Sequence, residues 1–419
     1  MIDQLNISEN NFEQCIKCTV CTVYCPVTAV NPLYPGPKQA GPDGERYRLK
    51  HRDFYNEALK YCLNCKRCEV ACPSGVRISD IILSARNRYS KGSAGVRDRM
   101  LAHTDMMGGL ATRLSPTVNG LLRLKPVKLA MDLTLGIDRR RTFPAYTPRK
   151  FTTWYRRHAA ERQARFANQV TYFHGCYVNY NFPRLGKDLI KVMNAIGWGV
   201  QLMKDEKCCG VARIANRLIK QATEAAKVNL REIGTAVDAG RDVISTSSTC
   251  VMTMRDEYPH VLGLDNSAVR ESIMTATRFL YNLVESGRVK LAFKSDYRLH
   301  AAYHTPCHLV RLGWGVYSTE LLKMIPGLQL TILDYNCCGI AGTYGFKKEN
   351  YAYSQAIGKQ LFDSIAEAAP DIVATDCETC KWQIEMSTGL KVANPISIIA
   401  DALDVEATRQ LNNVSTPAE

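Results

Sequence analysis

With 419 residues, 46% of them hydrophobic, the chain is too long for one ordinary domain and can bury two or three cores. No run reaches the roughly 18 uncharged apolar residues that a membrane-spanning helix needs, so any membrane contact is expected to be peripheral. The N-terminal sequence MIDQLNISEN has neither a basic start nor an apolar core, which argues against a signal peptide. The 17 cysteines are therefore expected to be metal ligands in a reducing cytosol rather than disulfides.

Residues 1–85 contain two cysteine runs with the spacing C-x2-C-x2-C-x3-C-P. Bacterial 4Fe-4S ferredoxins have this spacing, and in their two-cluster forms the fourth cysteine of each run binds the other cluster. Structural zinc or a redox dithiol would need fewer ligands than two such runs supply. We therefore assign one 4Fe-4S cubane to the cluster 1 cysteines, Cys15, Cys18, Cys21 and Cys72, and a second to the cluster 2 cysteines, Cys62, Cys65, Cys68 and Cys25.

The spacer between the two runs is longer than a minimal ferredoxin requires. Helix-forming sequence follows Asp53, for example at Asn56–Lys60. An α-helical ferredoxin domain is therefore predicted over 1–85.

Residues 86–168 contain no cysteine and are predicted to form a basic linker or docking segment. The stretch Ile81–Asn168 holds 18 Lys and Arg against five Asp and Glu, and Pro126 must start or break a helix within it. An anionic membrane, an acidic partner subunit and a solvated linker face all suit such a segment, whereas nucleic acid does not, because aromatic residues are not interleaved. The expected membrane or partner contacts are Arg123, Lys125, Lys128, Arg139, Arg140 and Arg141.

The rest of the chain repeats with a period of 129–131 residues, which indicates duplication. We define a first CCG unit at 169–296 and a second CCG unit at 297–405, related by a pseudo-twofold and followed by a polar tail at 406–419. Short apolar runs precede the cysteines and predict buried parallel strands, at Val170–Phe173, Val243–Thr246, Ala301–Tyr303 and Ile372–Thr375. Apolar residues at helical spacing, such as Leu185 and Leu189, lie between them. The predicted fold class is multidomain, α plus α/β.

Each CCG unit carries a set of cysteines that can converge beyond the strand ends. The second unit supplies five, at Cys307, Cys337, Cys338, Cys377 and Cys380. The first supplies four, at Cys176, Cys208, Cys209 and Cys250, because Ser247 stands where the second has Cys377. The glycine after each cysteine pair is expected to allow a tight backbone turn. His174, His304 and His308 lie near the first cysteine of each unit, and their role is left open.

Over Cys15 to about Ala402 the chain resembles the family of iron-sulfur subunits of anaerobic glycerol-3-phosphate dehydrogenases. The resemblance rests on the segments CIKCTVC, YPGPKQAGPDGER, ALKYCLNCKRCEVACPS, FHGC, EKCCG, HTPCH, CCGIAGTYGFKKENY and TDCETCKWQIEMST. Heterodisulfide reductase subunits and the iron-sulfur subunits of glycolate and lactate oxidation share the CCG units. The long segments favour the glycerol-phosphate family.

The resemblance implies a peripheral electron carrier on the cytoplasmic face of the inner membrane. It would take electrons from a flavoprotein catalytic dimer, deliver them to a quinone, expected to be menaquinone, and help to anchor the dimer. Five-cysteine CCG units of heterodisulfide reductases bind non-cubane clusters, so the second unit is expected to hold an additional iron-sulfur cluster, cubane or non-cubane. For the first unit, an iron-sulfur cluster, zinc and no cofactor all remain open, because serine replaces cysteine at Ser247.

No catalytic residue is assigned to this chain. Its sequence has no G-x-G-x-x-G flavin fingerprint and no convincing base beside a phosphate loop, so substrate oxidation is expected on a partner. Three alternatives remain open: a heterodisulfide-reductase-like catalytic subunit, an iron-sulfur subunit of a glycolate or lactate oxidase, and a mainly structural membrane anchor.

Overall fold

The N-terminal part of the protein is helical. The computed structural model describes residues 12–51, 54, 56–90, 94–334 and 336–414. Its first helices are α1 Val20–Val23, α2 Gly44–Lys50, α3 Arg67–Val70 and α4 Ile78–Tyr89. The helix-forming sequence at Asn56–Lys60 makes a 3₁₀ turn, Glu57–Tyr61, in which the Asn56 side chain accepts a hydrogen bond from the Ala58 N–H. Residues 1–11 and Asp53 of the predicted ferredoxin lie outside the described residues.

The segment predicted as a basic linker folds into helices. They are α5 Val96–Ala102, α6 Thr104–Arg113, α7 Ser115–Arg123, α8 Lys125–Leu135, α9 Phe151–His158 and α10 Ala160–Ala164. Pro126 lies at the start of α8, where its missing N–H leaves no intrahelical hydrogen bond unmade. Among the described residues, no helix is both long and apolar enough to cross a membrane.

The first CCG unit is built on a four-stranded parallel sheet. Its strands are β1 Asn168–Tyr172, β2 Trp198–Leu202, β3 Val243–Ser245 and β4 Ile273–Thr275, in the spatial order β2-β1-β3-β4. Its helices are α11 Gly175–Tyr180, α12 Pro183–Ala195, α13 Val211–Ala215, α14 Ile219–Asp238, α15 Ser248–Met252, α16 Tyr258–His260 and α17 Ala276–Glu285.

The second CCG unit repeats this topology. Its strands are β5 Leu299–Tyr303, β6 Leu328–Ile332, β7 Ile372–Ala374 and β8 Val392–Ala393, all parallel and in the order β6-β5-β7-β8. Its helices are α18 Cys307–Leu312, α19 Gly315–Lys323, α20 Tyr351–Ala368, α21 Glu378–Thr388, α22 Pro395–Ala402 and α23 Val405–Leu411. Helix α23 occupies the start of the segment predicted as a polar tail, and Thr408 within it is fully buried.

Short 3₁₀ and π-helical turns complete the described secondary structure. The 3₁₀ turns not yet named are Phe12–Gln14, Arg270–Ser272, Tyr344–Phe346 and Lys348–Asn350. The π-helical turns are Gln39–Asp43 and Thr253–Glu257.

The strands form where apolar runs precede the cysteines. Val170, Val243, Ala301 and Val373 are fully buried, as the central strands of a sheet covered on both faces require. The predicted fold class and the four predicted parallel strands are confirmed. Because parallel strands end at the same sheet edge, the cysteines that follow β1 and β3 meet there, and those that follow β5 and β7 meet at the equivalent edge of the second sheet.

The two CCG units are joined through helices rather than separated by a linker. Helix α12 of the first unit packs on α22 of the second, and their largest buried residues belong to one apolar core. At this contact the Ser397 hydroxyl donates to Asp188 Oδ2 at 2.6 Å, and Arg184 donates to the Asp401 carboxylate at 2.8 Å. The N-terminal core also includes Cys337 and Tyr344, so the second unit packs directly on the ferredoxin domain.

Candidate iron-sulfur centres

The two ferredoxin runs share one unusual backbone geometry. Lys17 and Thr19 in the first run have positive φ angles of 61° and 63°, and Asn64 and Lys66 in the second have 54° and 63°. Such angles are uncommon in residues other than glycine, and they cluster at functional sites. Here they wrap each chain segment tightly, so that successive thiols point toward one centre.

The cluster 2 cysteines surround one cavity. Cys25 comes from the first run, whereas Cys62, Cys65 and Cys68 come from the second, and all four line the same cavity. Tyr34 and Lys66 also line it. Four soft thiolates around a cavity of this kind are the donor set that a 4Fe-4S cubane takes.

The cluster 1 cysteines surround a second cavity. Cys15, Cys18 and Cys21 from the first run line this cavity together with Cys72 from the second, and Lys38 lines it as well. The fourth cysteine of each run thus crosses to the other cavity, which is the grouping that the sequence predicted. We retain these two ligand sets as proposals for the two cubanes.

A buried charged group lies beside the cluster 2 cavity. Lys66 is 1% exposed and pairs with Asp80 and with Glu69, whose Oε1 lies 3.7 Å from Lys66 Nζ. Burial raises the pKa of Asp80 to about 7, with Lys66 opposing that rise. A buried lysine so close to four thiols contributes positive charge where an iron-sulfur cluster contributes negative charge.

The five cysteines of the second CCG unit converge at the end of its sheet. Cys337, Cys338, Cys377 and Cys380 are buried and Cys307 is half-buried. Cys338 Sγ lies 3.3 Å from Cys380 Sγ, and a hydrogen bond from Cys380 lowers the pKa of Cys377 to about 5. Thiolates are the ligand form that iron requires. The set therefore fits an iron-sulfur cluster.

The glycine after each cysteine pair has the conformation that the sequence predicted. Gly210 and Gly339 have φ angles of 93° and 84°, a region that residues with a Cβ rarely adopt. A Cβ on Gly339 would lie 2.0 Å from the Ser354 carbonyl oxygen, so helix α20 packs against bare backbone there. The turn and the close helix both hold Cys337 and Cys338 in place.

The four cysteines of the first CCG unit also converge. The Cys208 thiol interacts with those of Cys176 and Cys209, and the Cys209 thiol interacts with that of Cys250. Thr104 Oγ1, on α6 of the basic segment, lies 3.5 Å from Cys208 Sγ, within hydrogen-bond distance for sulfur. The four thiols suit a cubane or zinc equally by donor type.

Ser247 does not complete this set as a fifth donor. Its hydroxyl donates to Glu378 Oε2 at 2.9 Å and accepts from the Cys250 N–H at 3.3 Å. The serine therefore caps helix α15 and joins the two CCG units. This arrangement distinguishes the first unit from the second, where Cys377 occupies the equivalent position.

The three histidines near the cysteines differ in their surroundings. His174 Nδ1 pairs with the Gly175 carbonyl oxygen at 2.9 Å and lies 3.2 Å from Glu206. His308 pairs through Nδ1 with Thr249 and through Nε2 with the Asn64 carbonyl oxygen. His304 is fully buried, and burial lowers its pKa to about 4, which leaves a neutral imidazole at physiological pH.

A direct contact joins the ferredoxin domain to the second CCG unit. The Cys65 thiol, which faces the cluster 2 cavity, interacts with the Cys307 thiol. Cys307 in turn interacts with Cys337, and Cys337 with Cys338. A series of neighbouring thiols therefore leads from the cluster 2 cavity into the second unit.

The position of Arg141 contradicts the sequence-based prediction. It was expected at a membrane or partner surface, but it is 1% exposed, so that prediction is wrong. Its Nη2 donates to Ser354 Oγ at 2.8 Å, and it also donates to Gln383. A Cβ on Gly345 would lie 2.7 Å from Arg141 Nη2, so the absence of a side chain at Gly345 makes room for the guanidinium.

The other predicted contact residues remain at the surface. Arg123, Lys125, Arg139 and Arg140 are exposed and Lys128 is half-buried. Arg140 pairs with Asp138 and lies 3.8 Å from the centre of the Tyr351 ring. Large apolar side chains on α6, α7 and α8 and between these helices are exposed as well, including Leu110, Leu114, Leu121, Leu124, Leu129 and Leu133.

Comparison with known proteins identifies the family. A 4Fe-4S dicluster domain matches residues 11–76, and a cysteine-rich domain matches twice, over 170–255 and 301–385. The chain is 56% identical over 398 residues to a subunit of the anaerobic glycerol-3-phosphate dehydrogenase of Escherichia coli K12, and the match covers 95% of this chain and all of the relative. The chain belongs to the family of iron-sulfur subunits of anaerobic glycerol-3-phosphate dehydrogenases.

More distant relatives extend over the same length. The glycolate oxidase iron-sulfur subunit of Escherichia coli K12 is 25% identical over 407 residues, 94% of each chain. A subunit of the dihydromethanophenazine:CoB–CoM heterodisulfide reductase of Methanosarcina barkeri is 21% identical over 433 residues, 94% of this chain and 95% of its own. The predicted resemblance is confirmed. The chain is an iron-sulfur protein with a two-cluster 4Fe-4S domain and two cysteine-rich domains.

Sequence reasoning missed one residue near the centres and misplaced another. Thr104 lies 104 residues before the cysteine that it touches, so spacing gave no signal. Arg141 follows two exposed arginines and looks like them in the sequence. His304 was recognised as a neighbour of the second unit's first cysteine, but the sequence left its role open.

Proposed function

We propose that this chain is the electron-transfer subunit of an anaerobic glycerol-3-phosphate dehydrogenase complex. It accepts electrons from a flavoprotein catalytic dimer and passes them to the quinone pool. The observation that carries this proposal is the packing of Cys65 and Cys307 against one apolar core, where their thiols interact, so the two-cluster domain lies directly against the second CCG unit. The family membership supports the identity of the complex.

The arrangement of the thiols supports one order of electron transfer. Cys25 and Cys72 each cross from one run to the other cavity, so the cluster 1 and cluster 2 cavities are immediate neighbours. The cluster 2 cavity borders the second unit through Cys65 and Cys307. Electrons therefore enter at the cluster 1 cysteines, pass the cluster 2 cysteines and leave from the second unit, near the quinone. Iron-sulfur clusters supply the one-electron chemistry at each stage.

The first CCG unit lies beside this route. Thr249 Oγ1 is 3.6 Å from Cys377 Sγ and adjoins Cys250 in the chain, whereas the described contacts between CCG and ferredoxin thiols involve Cys307. We assign the first unit a branch position, behind the second unit. Loss of the centre in the first unit is expected to leave the main electron-transfer route intact.

The experiment is a reconstitution with the flavoprotein dimer under anaerobic conditions. Glycerol 3-phosphate is added, and bleaching of the iron-sulfur absorption is followed together with reduction of a menaquinone analogue. We expect Cys307→Ser to keep reduction of the ferredoxin clusters but to lose quinone reduction. Cys176→Ser, the equivalent change in the first unit, is the matched control and is expected to keep both.

Two outcomes would overturn the proposal. Full quinone reduction by Cys307→Ser would remove the second unit from the route. Reduction of a heterodisulfide by the isolated chain, without the flavoprotein, would instead favour a catalytic role for the CCG thiols. The same reconstitution with glycolate or lactate flavoproteins tests the remaining oxidase alternative.

We propose further that helices α6–α8 attach the complex to the membrane. Leu110 on α6 is 58% exposed, Leu114 between α6 and α7 is 65% exposed and Leu133 on α8 is 72% exposed, which is unusual for three leucines in one segment. Arg123 is the last residue of α7, and Lys125 and Lys128 lie on α8. Apolar side chains that enter the lipid interface, with basic residues beside the anionic headgroups, form an interfacial anchor.

Vesicle binding tests this attachment. Reversing Arg123, Lys125 and Lys128 to Glu is expected to weaken binding to anionic vesicles at least about 100-fold, since each basic residue near such a surface contributes about 1 kcal/mol. Reversing Lys220, Lys290 and Lys359, which are exposed elsewhere, makes the same charge change as a control. Retained vesicle binding with lost copurification of the flavoprotein would show that this surface docks a partner instead.

A further inference from the structure

The duplicated strands reveal which residues of the two CCG units are equivalent. The Phe173 N–H donates to the Ile244 carbonyl oxygen at 2.8 Å, and the His304 N–H donates to the Ala374 carbonyl oxygen at 2.9 Å. Each residue follows a buried tyrosine, Tyr172 or Tyr303, at the end of a central strand. His304 is therefore the counterpart of Phe173 and not of His174.

His304 occupies a site where the first unit carries a phenylalanine. Both side chains are fully buried, but the imidazole carries two nitrogen atoms. Among the described residues, neither His304 ring nitrogen has a hydrogen-bond partner. A buried polar group without a partner destabilises the folded state, so an imidazole here points to a binding role that a phenyl ring does not have.

The unpaired imidazole faces the cysteines of the second CCG unit. A ring nitrogen of His304, Cys338 Sγ and Cys380 Sγ all lie within 4.8 Å of one another, and all three residues are buried. Two thiols and one imidazole nitrogen at this separation can share one metal ion. Their counterparts in the first unit are Cys209, Cys250 and Phe173, which offer two sulfurs and no nitrogen.

We propose that His304 supplies a nitrogen ligand to an iron of the cluster in the second CCG unit. The donor set of that unit is then five sulfurs and one nitrogen, against four sulfurs in the first. Imidazole is an established ligand for iron, and replacing thiolate by neutral histidine raises the reduction potential of an iron-sulfur cluster. The proposal needs only that the second unit holds a cluster, and it does not depend on the electron acceptor.

The first test requires no mutation. The holoprotein is prepared anaerobically in two forms, with natural-abundance nitrogen and with ¹⁵N-histidine, and pulsed EPR is recorded on the signal assigned to the second unit. We expect a nitrogen coupling of the strength typical of iron-bound imidazole, and its replacement by the ¹⁵N pattern after labelling. A signal with only the weak coupling of a hydrogen-bonded or distant nitrogen would overturn the proposal.

Site-directed variants then identify the histidine. His304→Phe installs the residue that the first unit carries at this position, so the fold is expected to tolerate it. It should abolish the coupling and lower the midpoint potential of the second-unit signal, while the ferredoxin signals are unchanged. His300→Gln is the control, because His300 lies on the same strand β5 but pairs with Thr331 at 3.0 Å. Retention of the coupling in His304→Phe, or its loss in His300→Gln, would contradict the assignment.

Discussion

The Cys65 thiol of the ferredoxin domain interacts with the Cys307 thiol of the second CCG unit, and both residues pack against the N-terminal apolar core. The two residues are 242 positions apart in the chain, and each belongs to a different group of cysteines. Their contact makes the cluster 2 cysteines and the second unit direct neighbours. Two paramagnetic centres held by these groups would lie close enough to affect each other's EPR signals.

We therefore predict a magnetic interaction between these two centres. When both are paramagnetic, the signal of the cluster 2 cysteines should be broadened and relax faster than that of an isolated ferredoxin cluster. Cys380→Ser, which removes a second-unit ligand, should restore a narrow signal. Cys250→Ser, the equivalent change in the first unit, should leave the broadening in place. Broadening that persists in Cys380→Ser and disappears in Cys250→Ser would place the first unit nearer to the ferredoxin.

The exchange of Cys25 and Cys72 between the two ferredoxin runs gives a second prediction. Since Cys72 lines the cavity of Cys15, Cys18 and Cys21, Cys72→Ser should damage the cluster of that cavity. Its EPR and Mössbauer spectra should match those of Cys18→Ser and differ from those of Cys65→Ser. Cys25→Ser should show the opposite pattern. If Cys72→Ser matched Cys65→Ser, each cluster would belong to a single run, and the exchange would be wrong.

The sequence predicted those features that depend on local pattern. Apolar runs before cysteines predicted the strands, and the repeat of about 130 residues predicted the duplicated units. Both patterns can be read directly along the chain. The equivalence of His304 with Phe173 also follows from the sequence, because FHGC and HTPC each place three residues between the strand-end tyrosine and the cysteine. The sequence could not show that the His304 imidazole is buried beside Cys338 and Cys380, since that position depends on tertiary contacts.

The sequence also could not predict which single charged residues are buried. Arg139, Arg140 and Arg141 form one basic run, but only Arg141 points into the protein, because Gly345 and Ser354 of the distant second unit receive it. Basic residues are mostly exposed in folded proteins, so a run of them predicts a surface position. The exception depends on tertiary contacts more than 200 residues away.

The burial of Arg141 leads to a third prediction. The guanidinium is 1% exposed, its described hydrogen bonds go to neutral side chains, and it interacts electrostatically with Cys338. A buried cation beside an iron-sulfur centre stabilises the more negative, reduced state. Arg141→Met should therefore lower the midpoint potential of the second-unit centre by roughly 50–100 mV, about 1–2 kcal/mol for one electron.

A redox titration followed by EPR measures this shift. Arg140→Met is the matched control, because Arg140 is the adjacent residue but is exposed and paired with Asp138. It should leave the potential unchanged within error. Equal shifts in the two variants, or a shift confined to the ferredoxin signals, would show that Arg141 is only a packing residue.

The last prediction concerns pH and the contact between the ferredoxin domain and the first CCG unit. Arg77 Nη1, just before α4, lies 2.6 Å from His260 Nδ1 on α16, so the histidine accepts a hydrogen bond in its neutral form. Burial, and then the Arg77 charge, lower the pKa of His260 to about 4. An unfolded histidine has a pKa of about 6.5. Between these values the unfolded chain binds the additional proton, so stability falls as the pH falls from 6.5 toward 4.

At pH 5 this single group should destabilise the folded protein by about 2 kcal/mol relative to pH 7.5. Thermal unfolding of the anaerobic holoprotein and of His260→Gln, measured across pH 5–7.5, tests this value. The variant loses the titrating group, so any stability deficit that it shows at pH 7.5 should shrink or reverse at pH 5. Groups that titrate in both proteins, such as Asp80 with its opposite dependence, cancel in the difference. A difference that stays constant with pH would mean that His260 is not held neutral against Arg77.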